Sequence, residues 1–165
     1  MNRPLFTAVV LVLLTGGSCT GVPPLATSQG SPEALAGALL DAFAERDRAA
    51  LEALALTEQE FREIVWPELP AARPERNLPF SFVWGDLKQK SDASLGALLA
   101  EHGGRRFSLV SVRATGETTR YDTYQVHRDS LLVVRDPEGA QRELRLFGSM
   151  LEKDGGWKIY SFVVD

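Results

Sequence analysis

From residue 31 onward the apolar positions recur first at helical spacing and then, past Gly104, at strand spacing. Leu35, Leu39 and Phe43 stand four apart with Ala36 and Leu40 beside them, the stripe of an amphipathic helix. Ser31-Pro32-Glu33 supplies its start: a capping hydroxyl, a proline at the first helical position and an acid in the first turn. This helix is expected to run to about Arg46. Asp47 interrupts the stripe and Leu51 and Leu54 resume it, so the spacing predicts one long helix with a bend. Thr57 and Glu60 have the spacing of a capping box. They open a second, short helix whose buried face is Phe61, Ile64 and Val65 and which Pro67 is expected to end. After a link punctuated by Pro67, Pro70, Pro74 and Pro79, a third helical stretch starts at Phe80 with Val83, Trp84 and Leu87, then Leu95, Leu98 and Leu99. Residues 88–92 are polar all round, which predicts a break there. Gly103-Gly104 is a stop signal.

Beyond Gly104 the pattern predicts strands over 107–112, 121–127, 131–134, 144–151 and 157–164. Asp136-Pro137-Glu138-Gly139 carries the preferred residues of a tight turn, and Asp154-Gly155-Gly156 turns again. Helices first and antiparallel strands afterwards mean an α+β fold, with the N-terminal helices packed on one face of a curved antiparallel sheet.

The first thirty residues obey a different rule. A basic end at Arg3, an apolar run over 5–14 and the small residues Thr15 to Ser18 are the three parts of a secretory signal. The run is too short for a permanent membrane helix, which takes about 20 residues. Cys19, the single cysteine of the chain, falls directly behind this signal. The arrangement resembles the lipobox of bacterial lipoproteins, which implies cleavage before Cys19 and a lipid on its thiol. A plain cleaved signal is the alternative, since Gly16 stands where that family has leucine. Residues 1–18 are thus expected to be removed, and residues 19–30, rich in Thr, Ser, Gly and Pro, to be a flexible tether for a domain over 31–165. The implied address is the cell envelope, lipid-anchored to a bacterial membrane and facing the periplasm or exterior.

Composition narrows the chemistry. With 18 Lys+Arg against 22 Asp+Glu, both signs mixed and a net charge of −4, the chain has no basic stripe to follow a phosphate backbone, so no nucleic-acid partner is expected. A domain without cysteine has no thiolate zinc site, cluster or thiol nucleophile. The two histidines, His102 and His127, lack ligand spacing, so no metal and no cofactor is expected.

The amphipathic first helix ending Ala44-Glu45-Arg46-Asp47, together with the closing hairpin Leu151-Glu152-Lys153-Asp154-Gly155-Gly156-Trp157-Lys158-Ile159-Tyr160, resembles the cone fold of the nuclear transport factor 2-like superfamily. That superfamily includes ketosteroid isomerase-like enzymes and many non-catalytic binding or assembly modules, so the resemblance implies a cone without choosing a function. The isomerase type sets a carboxylate base opposite acidic hydroxyls in an apolar pocket. Strand alternation here puts Tyr124 with Val126 on one face, opposite Tyr121, Gln125 and His127, which makes Tyr124 the inward tyrosine. Trp66 and Trp84 flank the proline-rich link and are candidates for a pocket wall. Arg145, pointing away from Leu144 and Leu146, is a candidate contact for an anion. The expected pocket is therefore Trp66, Trp84, Tyr124, His127 and Arg145. The leading expectation is a non-catalytic envelope module that binds a small apolar ligand or an envelope protein. A cofactor-free isomerase or lyase using Tyr124 is the second reading, and a homodimer through an exposed sheet face is a third.

Overall fold

The computed structural model describes residues 22–164; Cys19 and the signal lie outside them. Helix α1 (Pro32–Glu45) starts as the sequence dictates, with the Ser31 hydroxyl accepting the Ala34 N–H. It does not bend into the next segment. Arg46 adopts a left-handed conformation (φ 56°) and closes α1 with its N–H on the Ala42 and Phe43 carbonyls. Asp47 then caps a separate helix α2 (Arg48–Leu54), its carboxylate accepting the Ala50 N–H. The interruption of the stripe is a stop and a restart.

The capping box forms as expected: Glu60 N–H reaches the Thr57 hydroxyl, and the Glu60 carboxylate accepts the Thr57 N–H in return. Behind it, α3 (Glu58–Glu60) widens into a π-helical turn (Phe61–Val65), which then tightens to a 3₁₀ turn (Trp66–Glu68). Pro67 ends the wide turn but not the coil. Trp66 keeps helical dihedral angles, and its N–H bonds five residues back to the Phe61 carbonyl. The N–H that proline lacks thus falls where the ladder is already changing. Two more proline-led 3₁₀ turns (Pro70–Ala72 and Pro74–Arg76) lead to α4 (Phe80–His102). α4 runs unbroken through residues 88–92. The i,i+4 pairs Lys88–Asp92 and Lys90–Asp86 hold that polar stretch in the helix, and Gly103 stops it as expected.

The strands are β1 (Ser108–Ala114), β2 (Thr118–Arg120), β3 (Gln125–His127), β4 (Ser130–Arg135), β5 (Gln141–Leu144), β6 (Ser149–Lys153) and β7 (Gly156–Ser161). All pairings between them are antiparallel, so the α+β class holds, in two sheets rather than one: β1-β4-β5 and β2-β3-β6-β7. Two expected strands are split. Residues 121–124 form the turn between β2 and β3, closed by Tyr121 N–H on the Tyr124 carbonyl. The stretch 144–151 leaves one sheet at Leu144 and enters the other at Ser149. The second break belongs to a wider pattern. Three long runs, 108–120, 125–135 and 141–153, lie side by side and all change sheet near residues 115–117, 128–129 and 145–148. Backbone bonds cross this seam from Thr115 to Asp129, from Gly116 to Arg128 and from Ser130 to Gly148. Asp129 sits there at φ 57°. Gly148 is required there, because a Cβ would lie 1.9 Å from the Val163 carbonyl oxygen.

Helical segments meet both faces of the second sheet, not one. Met150 and Ile159 point into a core with Leu35, Leu39 and Phe43 of α1, Leu51 and Leu54 of α2, and Leu95 and Leu98 of α4. Val126 and Leu151 point the other way, into a second cluster with Phe61, Ile64 and Val65 of the π turn and Trp84 of α4. The expected tether is also partly docked. Leu25 packs on the second cluster, Ala26 N–H bonds the Glu60 carboxylate at 2.8 Å, and Gln29 exchanges two backbone bonds with Trp157 at the edge of β7. Unpaired edge groups on β7 explain why this strap seats there.

Candidate functional site

Where α2 ends, α3 begins and the middle of α4 passes the end of β7, the elements leave a cleft of about 420 Å³. That is the size of a small-molecule site. Its apolar lining is Ala55, Leu56, Trp84, Leu87, Tyr160 and Phe162. Phe61 stands behind this wall, 5.2 Å from the Trp84 ring and 6.3 Å from Tyr160 between ring centres. The polar stretch of α4 that reads as a helix break from sequence supplies the other side, with Lys88, Ser91 and Asp92.

The polar groups of the cleft are largely committed to the protein. Ser91 Oγ accepts the Phe162 N–H at 3.0 Å. Thr57 Oγ1 is held in the capping box. Lys88 Nζ donates to both oxygens of Asp92. Glu52 accepts from Arg48 and Glu58 from Arg62, each at 2.8 Å. Tyr160 is different, since its hydroxyl has no partner among the described residues. Burial, with Tyr121 adding to it, pushes its phenol above the ordinary range, so near neutral pH it is a hydrogen-bond donor and not a base.

Beneath the cleft lies a charge pair that the sequence did not announce. Lys158, fully buried on β7, donates to both oxygens of Glu60 at 2.9 and 3.1 Å. Burial alone would raise the Glu60 carboxyl. The Thr57 N–H, the Lys158 ammonium and the Ala26 N–H together outweigh it and hold the carboxyl below its usual range. One carboxylate thereby joins a helix start, a strand and the N-terminal strap.

The five residues expected to form a pocket are not brought together. Trp84 lines the cleft. Trp66 does not; it reaches Trp84 only through Phe80 and Phe61, with an edge contact to Phe80 at 5.6 Å. Tyr124 is buried in the second cluster, stacked on Tyr121 at 4.5 Å, and donates to the Val65 carbonyl at 3.3 Å. Burial raises its phenol as well. His127 lies on the opposite face, stacked on Trp157 at 4.8 Å, with Nδ1 3.1 Å from the Thr118 hydroxyl and Nε2 buried without a partner. Burial holds its imidazole below the ordinary range, against the pull of Glu152. Arg145 is exposed and borders a separate, water-sized recess of about 50 Å³ with Arg128, Asp129 and Gly148. A hydroxyl-based chemistry in the cleft would therefore fall to Tyr160, not Tyr124.

Tyr160 belongs to the closing strand that reads plainly from sequence, so its alternation against Ile159 was an available signal. Lys158 had no such signal, because its partner Glu60 is 98 residues away. Among the described residues no group of His, Cys, Asp or Glu is placed to hold a metal ion, and no helix is long and apolar enough to cross a membrane. Comparison with known proteins gives no matching family model, no matching curated protein and no matching solved structure.

Proposed function

We propose that the chain is an exported envelope lipoprotein, anchored through Cys19, whose domain binds a small apolar ligand in the cleft without transforming it. The observation that carries the binding reading is the lining. Its floor is apolar, and the carboxylates around it are paired with basic side chains instead of facing an acidic hydroxyl across the cavity. A site built to move protons needs titrating groups free to reach the ligand; here the free polar group is the Tyr160 hydroxyl. In the same reading the domain is a divergent nuclear transport factor 2-like cone. Helices that precede the strands, a meander folded along one seam, and α1 packed against β1 and β7 support that.

Filling the cleft tests the binding reading. Leu87→Trp places a large ring in the cavity from a half-buried position on α4. Native mass spectrometry of the full chain, released gently from membranes, should show a retained small mass on the wild type and at least a tenfold lower occupancy on the variant. Equal occupancy would place the ligand elsewhere. The anchor is tested separately. Cys19→Ser should abolish incorporation of labelled fatty acid and move the protein from the membrane to the soluble fraction. Unchanged membrane association in that variant would sink the lipid assignment.

A further inference from the structure

The rim of the cleft and its floor differ in chemistry. At the rim stand Glu52, Glu58, Lys88 and Asp92, their side chains 40–55% exposed and every one engaged. Arg48 holds Glu52 and Arg62 holds Glu58, each at 2.8 Å. Lys88 donates to both oxygens of Asp92, and Arg48 lies 3.9 Å from the same carboxylate. Three carboxylates thus meet three basic groups, and the rim has no net charge. The floor is three rings and two leucines: Trp84, Tyr160, Phe162, Leu56 and Leu87. The Thr57 and Ser91 hydroxyls beside it are bonded within the protein.

We infer that the occupant of the cleft is an uncharged ring compound, and that the paired charges of the rim select it against anions and ammonium ions of the same apolar body. This rests on the reading of the cleft as a small-molecule site and adds the ligand's class to it. A charged group carried down to the floor sheds its water where no counter-charge waits. One left at the rim finds each possible partner occupied and gains only by breaking an existing pair. A neutral molecule meets neither cost. A flat, rigid ring also gains from packing on the floor rings beyond the area it buries. A flexible chain of the same size loses rotational freedom on entering. Arg48 and Arg62 do not line the cleft, yet they set its selectivity, because each cancels a carboxylate that does.

Four probes separate the cases: naphthylmethanol, naphthylmethylammonium and naphthoate, which share one ring body, and n-octanol, a flexible chain. Each is titrated calorimetrically at neutral pH and low salt into the full-length protein held in bilayer discs, with empty discs as the blank. Naphthylmethanol should bind at least about fivefold more tightly than either ion, and more tightly than n-octanol. Arg48→Gln changes an exposed residue outside the lining and leaves Glu52 without its partner. In that variant the ammonium should gain about twofold or more, with the gain lost in salt, and the alcohol should be unchanged. An ion that binds wild type within about fivefold of the alcohol overturns the exclusion of charge but leaves the apolar site standing. Tighter binding of n-octanol overturns the ring assignment in the same way. An ammonium that gains nothing in Arg48→Gln overturns the rim pairs as the source of selectivity. Failure of all four probes to bind overturns this assignment and the binding reading together.

Discussion

Replacing Glu60 by alanine is expected to destabilise the domain by about 3–5 kcal/mol, read as the shift in a urea unfolding curve. The change leaves the Lys158 ammonium inside the protein without its counter-charge. It also removes the acceptor for the Thr57 and Ala26 N–H groups. The paired variant Glu60→Leu, Lys158→Met should recover most of the loss, because an apolar pair in place of a buried ion pair is often neutral or stabilising. A single variant within about 1 kcal/mol of wild type would mean that the pair is open to water. The pair also fixes a pH dependence. The Glu60 carboxyl titrates lower in the folded than in the unfolded chain, where about 4.5 is ordinary. Its contribution is therefore complete above that value and disappears as pH falls through the lower, folded one. Wild type should lose stability on acidification more steeply than the apolar pair; parallel profiles would count against the linkage.

Phe61→Ala should cost a similar amount, about 3–5 kcal/mol, and should also damage the cleft. The Phe61 side chain is almost fully buried and stands 5.2–6.3 Å from Trp84, Phe80 and Tyr160 between ring centres. Truncating it opens a cavity where three rings converge and removes the backing that holds Trp84 in the wall. Ligand occupancy should fall along with the unfolding temperature, whereas Phe61→Leu should keep much of both. Full occupancy in a destabilised Phe61→Ala protein would show that Trp84 is held by α4 without help from the cluster behind it.

The parts of this fold that read from sequence are those fixed by neighbours in the chain. The Ser31-Pro32 start, the Thr57–Glu60 box, the Gly103 stop and the Asp136–Gly139 turn are all decided within four residues, and all are present. What did not read is set by groups distant in sequence. The break after α1 needs Arg46 in a left-handed conformation, which arginine does not advertise. The turn at 121–124 is clamped by Glu68, whose carboxylate accepts from Asp122 N–H at 2.6 Å and from Thr123 N–H at 3.2 Å across more than fifty positions. The stretch 144–151 looks like one strand because its residues are apolar enough for either sheet; the close approach of Val163 to Gly148 shows where it turns. The polar run 88–92 was ambiguous only while i,i+4 pairing was left out, and those pairs are visible in the sequence. The site followed the same division. Trp84 was found because it is large and apolar beside a landmark. The carboxylates of the cleft were not, since nothing local marks which acids share a cavity.

The docked strap shortens the leash. Under the proposed anchoring at Cys19, a chain free as far as Ser31 would give twelve residues that could hold the domain up to about 40 Å from the lipid surface. With Ala26 tied to Glu60, seven residues remain, and the fully stretched distance falls to about 25 Å. A domain anchored on so short a line would sweep a thin layer next to the bilayer and meet a ligand there at a higher local concentration. With that anchor in place, the carboxylate that stabilises the fold would also set how far from the bilayer the domain works.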